Sequence, residues 1–179
     1  MIVVMLFLPA LPNHAQSRPS QFDVEAAYLL NFGKFLHLSQ ESRALRRATF
    51  DICILGHDPF EQTIDQLAAN DTIDGRSVRV VRVSQAFDAR TCAIAFISAH
   101  EDASIRDALN VLNGADVLTV SDAPDFLMDG GMVQFVLQKD HVRFAVNLKA
   151  VEKTHLVLSS ELLRVALYVN GEPETGGAP

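Results

Sequence analysis

The chain contains 179 residues, of which 49% are hydrophobic and 21% are charged, and it carries a net charge of −7. This composition excludes a disordered protein and is typical of one globular domain with a substantial core. The negative charge repels phosphate backbones and anionic lipids, so nucleic acid is not expected to be a partner.

The first 15 residues, MIVVMLFLPALPNHA, begin with an unbroken apolar stretch from Met1 to Leu8. A bilayer-spanning helix needs about 20 apolar residues, so this stretch is too short to span a membrane. Its length and its proline-broken polar end predict a secretory signal peptide over residues 1–15, cleaved between Ala15 and Gln16. The alternative is a buried N-terminal strand.

Apolar periodicity predicts alternating helices and strands along the rest of the chain. Residues 22–36 show the three- and four-residue spacing of an amphipathic helix, with acidic residues in its first turn. The run Asp58-Pro59-Phe60-Glu61 is typical of a helix start, with Asp58 as the cap. Further helices are predicted over 102–112 and 160–169, and strands over 49–55, 77–83, 92–97, 117–120, 132–137 and 142–146.

The order of these elements predicts an α/β sandwich with a mixed β-sheet. Strand 92–97 is apolar throughout, as parallel strands covered on both faces are. The last two strands alternate and are joined by a polar turn, which predicts an antiparallel hairpin beside a parallel core. A single domain is expected over residues 20–170, and the polar tail 171–179 is expected to be disordered.

The ends of the predicted parallel strands carry the residues best suited to bind a ligand. Ligands of open α/β sheets bind outside the carboxyl ends of the strands, where His57, Asp58, His100 and Asp102 are expected. Two histidines and two carboxylates at one edge would suit a small-molecule or metal-binding sensor. The alternative is that the aspartates cap helices and the histidines lie in turns, and this alternative is favoured because no metal-binding spacing is present. No phosphate-binding or hydrolase motif is present either, so neither a cofactor nor an enzymatic activity is predicted.

Two cysteines, Cys53 and Cys92, are the only ones in the chain. In an exported protein such a pair is a candidate disulfide. The alternative is two buried thiols that act as small hydrophobic side chains.

Several segments, taken in order, resemble the YfiR-like family over roughly residues 24–169. They are YLLNFGKF, FDICILGHDPF, GRSVRVVRV, CAIAFIS, ADVLTVSD, GGMVQFVLQKDHVRFAVNL and LSSELLRVALYV. The resemblance implies a periplasmic, Rossmann-like, non-enzymatic protein that is usually a homodimer. Such proteins repress an inner-membrane diguanylate cyclase by binding its periplasmic sensory domain, which lowers cyclic-di-GMP and opposes biofilm formation. The resemblance also implies a disulfide between Cys53 and Cys92.

An inhibitory binding protein of this kind needs an apolar surface for its partner. The first and last helices offer Phe32, Phe35, Leu163 and Leu167 as candidate contacts. The alternative for each is core packing, which is favoured because large apolar side chains are usually buried. The family commonly has Trp-Pro after the first helix, where this chain has Leu36-His37-Leu38-Ser39, so contacts there must differ.

Overall fold

The computed structural model describes residues 19–98 and 102–169, which contain six helices and nine strands. The predicted signal peptide and the predicted disordered tail lie outside these ranges. The helices are α1 (Gln21–Lys34), α2 (Thr63–Ala68), α3 (Ala86–Ala89), α4 (Asp102–Leu112), α5 (Leu148–Val151) and α6 (Ser160–Val165). The strands are β1 (Leu36–His37), β2 (Phe50–Leu55), β3 (Thr72–Ile73), β4 (Arg76–Val83), β5 (Ile94–Ile97), β6 (Leu118–Ser121), β7 (Val133–Gln138), β8 (His141–Val146) and β9 (Val157–Leu158).

Seven of the strands form one mixed sheet in the order β3-β4-β2-β5-β6-β7-β8. Strands β4, β2, β5, β6 and β7 run parallel, whereas β3 and β8 pair antiparallel at the two sides. The central strands β2, β5 and β6 are buried at every residue, because helices cover both of their faces. The predicted α/β sandwich with a parallel core and an antiparallel hairpin is therefore confirmed.

Two apolar cores lie on opposite faces of this sheet. The larger one packs α1, α2, α5 and α6 against the sheet and includes the aromatic cluster of Tyr28, Phe32, Phe135 and Phe144. The smaller one packs α3 and α4 against the other face. The alternating side chains of the central strands β2 and β5 supply both cores, as the pleat of a strand requires.

The start of α1 follows directly from its sequence. Ser20 caps the helix by accepting a hydrogen bond on its Oγ from the amide of Asp23 at 3.1 Å. The Asp23 carboxylate accepts in return from the Ser20 amide at 2.8 Å. This reciprocal capping box satisfies two amides that a helix leaves unpaired at its N-terminus.

The helix predicted to begin at Asp58-Pro59 begins later than predicted, at Thr63. Asp58 does accept a hydrogen bond from a following amide, that of Phe60, at 2.8 Å. However, Glu61 has a φ of +50°, a left-handed conformation that interrupts a right-handed helix. The capping signature therefore describes a local turn, and α2 starts after it.

The last helix is shorter than predicted, because it ends at Val165 rather than at Val169. The chain then becomes extended and runs alongside β8. The Leu167 amide donates to the carbonyl of Phe144 at 2.7 Å, and the Val146 amide donates to the carbonyl of Tyr168 at 3.0 Å. Hydrogen bonds to the sheet edge thus replace those that a continued helix would make.

Within the described ranges, none of the helices combines the length and apolar character needed to cross a bilayer.

Replacing Gly131 by alanine is expected to lower the free energy of unfolding by about 1 to 3 kcal/mol, because it overpacks the core. A Cβ at this position would lie 2.2 Å from Cε1 of Phe126, whose side chain is fully buried. Urea denaturation measures the change. Met128→Ala in the same loop is the control, since Met128 is exposed and its truncation should have little effect. Equal stability of Gly131→Ala and the parent would contradict the crowding argument.

Candidate functional site

The carboxyl ends of β2, β5 and β6 lie side by side, because these strands are parallel neighbours. Gly56 follows β2 with a φ of +91°, which favours glycine, and places the chain for the turn that contains His57 and Asp58. Of the predicted ligand residues, His57 is exposed at this edge and Asp102 begins α4. His100 lies outside the described residues. The ligand-binding role of these four residues remains a prediction.

Asp58 is held by an ion-pair network centred on Arg82 of β4. The Arg82 guanidinium lies 2.6 Å from Asp58 Oδ2 and donates two hydrogen bonds, both 2.7 Å long, to the Asp65 carboxylate. The hydrogen bond with Asp65 is the largest of the interactions that raise the pKa of Arg82. This network fastens the turn after β2 and helix α2 to the edge of the sheet. Both Asp58 oxygens are engaged, since Oδ1 accepts from the Phe60 amide.

The described part of the chain contains no group of three or more histidine, cysteine or acidic side chains that could hold a metal ion.

A second carboxylate site, which the sequence analysis did not identify, lies on α1. Glu25 is fully buried; its Oε1 accepts a hydrogen bond from Gln21 Nε2 at 2.8 Å, and its Oε2 has no partner among the described residues. Burial raises the pKa of Glu25 to about 7, the Gln21 hydrogen bond opposes this, and the like charge of Asp122 adds to it. Burial also raises the pKa of Asp122, which follows β6. The sequence contained one indication that Glu25 is buried. Glu25 lies three residues after Phe22, which places it on the apolar face of the helix.

The predicted disulfide between Cys53 and Cys92 is present. Cys53 lies in the middle of β2, and Cys92 lies two residues before the neighbouring strand β5. The two Cα atoms are 6.0 Å apart and both side chains are buried. The bond closes a segment that contains α2, β3, β4 and α3, so it fastens this half of the sheet to its centre.

A buried carboxylate lies beside the disulfide at the start of β2. Asp51 accepts two hydrogen bonds from Arg79, at 2.9 and 2.7 Å, and its Oδ2 lies 3.4 Å from Arg47. Burial opposes ionisation of Asp51, but the hydrogen bonds from Arg79 and Thr49 and the charges of both arginines hold its pKa below the ordinary value. Asp51 thus joins β2, β4 and the preceding loop through one ionised group.

An open cleft of about 430 Å³ runs along β4 next to the disulfide. Its apolar lining comes from Val81, Val83, Phe87 and the two cysteines. The Phe87 side chain is 69% exposed, which is unusual for a large apolar ring. A second cleft of about 400 Å³ lies on the other side of Phe87, against α4. An exposed apolar surface of this kind is typical of a binding site.

The four residues predicted to contact a partner differ in their exposure. Phe32 is fully buried in the aromatic cluster, so its side chain is a core residue and does not reach the surface of this fold. Phe35 is 36% exposed at the end of α1, and Leu163 is partly buried against the core. Leu167, also partly buried, lies after α6 rather than in it.

Strands β1 and β9 form a separate two-stranded sheet that presents further apolar surface. His37 and Val157 are cross-strand partners and both are exposed, whereas their neighbours Leu36 and Leu158 pair with each other and are buried. Val157 did not appear among the predicted contacts, because a two-residue strand has too little periodicity to be recognised. We refer to Phe35, His37, Val157 and Leu163 as the β1–β9 patch.

The architecture and the disulfide define a disulfide-bonded, Rossmann-like α/β domain with exposed apolar surfaces. The chain belongs to the YfiR/HmsC-like family, whose model matches residues 22–167. The predicted family membership is therefore confirmed. A search of curated proteins finds no match.

Proposed function

We propose that this protein is a periplasmic, non-enzymatic repressor that binds the sensory domain of an inner-membrane diguanylate cyclase. Binding holds cytoplasmic cyclic-di-GMP synthesis off, and release favours biofilm formation. Membership of the YfiR/HmsC-like family is the observation that carries this proposal. The disulfide supports it, because such bonds persist in oxidising compartments such as the periplasm. The repressor acts as a homodimer in this proposal.

The β1–β9 patch is the surface that we assign to the cyclase. It combines an aromatic ring, Phe35, with the exposed aliphatic side chain of Val157. An apolar centre with a polar rim is the usual composition of a protein interface. Here the rim includes His37 of β1 and Glu161 of α6, both of which are exposed. Leu163, a member of the patch, and Leu167, which follows α6, are both partly buried and would contribute to its margin.

The alternative function, a small-molecule or metal sensor at the His57, Asp58, His100 and Asp102 edge, has less support. Asp58 already accepts hydrogen bonds from Arg82 and from the Phe60 amide, which hold its carboxylate in the turn. A ligand at this edge would therefore compete with strong charge-assisted hydrogen bonds for the same carboxylate. For this reason we favour the repressor.

Replacing Phe35 or Val157 by aspartate is expected to abolish capture of the cyclase and to raise cellular cyclic-di-GMP. A charge in the centre of an apolar interface must be desolvated without a partner, which opposes binding. The measurement is co-purification of a diguanylate cyclase from detergent-solubilised membranes with the tagged, exported protein. Cyclic-di-GMP is quantified in the same cells.

Met128→Asp is the matched control, because Met128 is 82% exposed and lies outside the β1–β9 patch. This variant should bind the cyclase as the parent does. Failure of the parent protein to capture any diguanylate cyclase would contradict the proposed function. Capture by Phe35→Asp and Val157→Asp as efficient as by the parent would instead contradict only the assignment of the surface.

A further inference from the structure

The outer edge of β4 is paired over only its first few residues. Strand β3 pairs with Arg76 and Ser77, and the Val78 amide donates to the carbonyl of Asp71 at 3.1 Å. Over residues 79–83, no strand from the described ranges pairs with this edge. An unpaired strand edge offers backbone donors and acceptors to any strand that can approach it.

The hydrogen bonds of β4 define which backbone groups face outward. The Gly56 amide donates to the carbonyl of Val83, so Val83 faces β2, whereas the Val78 amide faces the outer edge. Backbone groups alternate in direction along a strand. The N–H and C=O groups of Val80 and Arg82 therefore point to the open edge, and those of Val81 point to β2.

The side chains next to this edge add an apolar surface to the free backbone groups. Val81 and Val83 are only partly buried and line the cleft beside the disulfide, together with the exposed ring of Phe87. On the opposite face, α2 packs against the same strand and fixes its position. The edge thus combines a rigid row of hydrogen-bonding groups with an adjacent apolar cleft, which are the two requirements for binding an added strand.

We propose that this edge pairs with the same edge of a second copy of the chain, forming an antiparallel β4–β4 dimer centred on Val81. The free segment 79–83 has Val81 at its middle, and β3 blocks a shift toward the start of β4. A two-fold axis at Val81 places Val80 of one copy opposite Arg82 of the other, so outward-facing groups meet outward-facing groups.

The charged side chains along the open edge of β4 are compatible with pairing to a second copy of the chain. In this register Arg79 lies opposite Val83 and Arg82 opposite Val80, while the two copies of Arg82 are diagonal neighbours. Arg79 is already paired within its own chain with Asp51 at 2.7 Å, and Arg82 with Asp58 and Asp65. These intrachain carboxylates reduce the repulsion between the arginines of the two copies. Pairing would also cover Val81, Val83 and Phe87 of both chains.

Replacing Val80 by proline is expected to convert the dimer to a monomer that keeps its fold. Proline removes the outward-facing amide of Val80 and leaves every hydrogen bond between β4 and β2 intact, and edge strands tolerate this substitution. The measurement is the mass of the purified exported protein by sedimentation equilibrium, with circular dichroism to verify the fold. Val80→Thr keeps the amide and a similar shape, so it should remain a dimer.

Phe87→Asp is a second variant that leaves the backbone unchanged, and it too should be monomeric because it places a charge in the paired cleft. A parent protein that is monomeric at micromolar concentration overturns the proposal. So does a dimer that persists in both Val80→Pro and Phe87→Asp. The inference rests on the homodimer of the proposed function, which a monomeric parent would also contradict. Cyclase capture depends on the β1–β9 patch and tests the repressor role separately.

Amide hydrogen exchange tests the pairing directly. The amides of Val80 and Arg82 should exchange slowly at high protein concentration and become fast on dilution below the dimer dissociation constant. The Val81 and Val83 amides, which face β2, should stay protected at both concentrations and serve as the internal control. Fast exchange of Val80 and Arg82 at all concentrations overturns the proposal. Protection that does not depend on concentration also overturns it, because the chain would then cover its own edge.

Discussion

Replacing both Cys53 and Cys92 by alanine is expected to lower the free energy of unfolding by about 4 kcal/mol. The bond joins residues 39 positions apart, and closing a loop of that size restricts the unfolded chain by about this amount. Typical domains have only about 5 to 15 kcal/mol of stability, so the loss is a large fraction of the total. Chemical denaturation of the parent and the double variant measures it.

Reduction of the parent protein provides the matched comparison for this prediction. The reduced parent should unfold at the same denaturant concentration as the double variant, apart from small packing differences between thiol and methyl groups. The single variants Cys53→Ala and Cys92→Ala should resemble the double variant, because each breaks the same bond. A double variant that loses less than about 1 kcal/mol would contradict the argument that loop closure dominates.

The disulfide also has a consequence for the proposed function. It holds the segment that contains β4 and α3 against the centre of the sheet, so its loss should destabilise the whole domain. Under the proposed function, an unfolded protein no longer binds the cyclase, and cyclic-di-GMP should rise in cells with the double variant. A rise with no loss of folded protein would indicate a direct role for the disulfide in binding.

Replacing Glu25 by glutamine is expected to stabilise the protein increasingly as the pH rises. The pKa of Glu25 is raised from 4.5 to about 7 in the folded state, so the folded protein binds this proton more tightly than the unfolded chain does. The stability contribution of the protonated carboxyl is complete below pH 4.5 and is lost as the pH rises through 7. Glu25→Gln cannot ionise at this position and does not lose this stability. The difference in free energy of unfolding between the variant and the parent should therefore grow by about 3 kcal/mol between pH 4.5 and pH 8.

Denaturant unfolding at several pH values measures this difference. Glu41→Gln is the control, because it removes an exposed carboxylate from the same protein and its effect should not grow in this way. In a protein that also carries Asp122→Asn, the stability advantage of Glu25→Gln should grow less with pH. The reason is that the charge of Asp122 is one of the causes of the raised pKa of Glu25. A stability difference between Glu25→Gln and the parent that is constant from pH 4.5 to pH 8 would contradict the raised pKa.

Most of the fold could be predicted from the sequence because its elements are regular and strongly patterned. Helix α4 begins and ends at the predicted residues, and the predicted strands all occur with small shifts at their ends. The error at the end of the last helix arises because local signals compete with tertiary hydrogen bonds. Residues 167–169 have a helical apolar pattern, yet they leave the helix because β8 offers them an edge to pair with.

The candidate surfaces were less predictable, because the exposure of a side chain depends on which other elements of the fold pack against it. Phe32 lies in the last turn of α1 and Phe35 is the C-terminal cap of the same helix, yet Phe32 is fully buried and Phe35 is 36% exposed. Their position relative to β7 and β8 decides this difference, and helical periodicity alone did not locate that boundary. The cleft at Phe87 was missed for a similar reason, since α3 has only four residues and lacks a recognisable pattern.

The sequence by itself determined the α/β class, the parallel core, the hairpin and the family, because these depend on periodicity and on the order of segments. It also named the cysteine pair, although only the pairing of β2 with β5 brings the two residues together. The tertiary structure alone decided that Glu25 is buried near Asp122, that Arg82 engages Asp58, and that the edge of β4 is open. Each of these depends on contacts between segments far apart in the chain, whose distances no local pattern encodes.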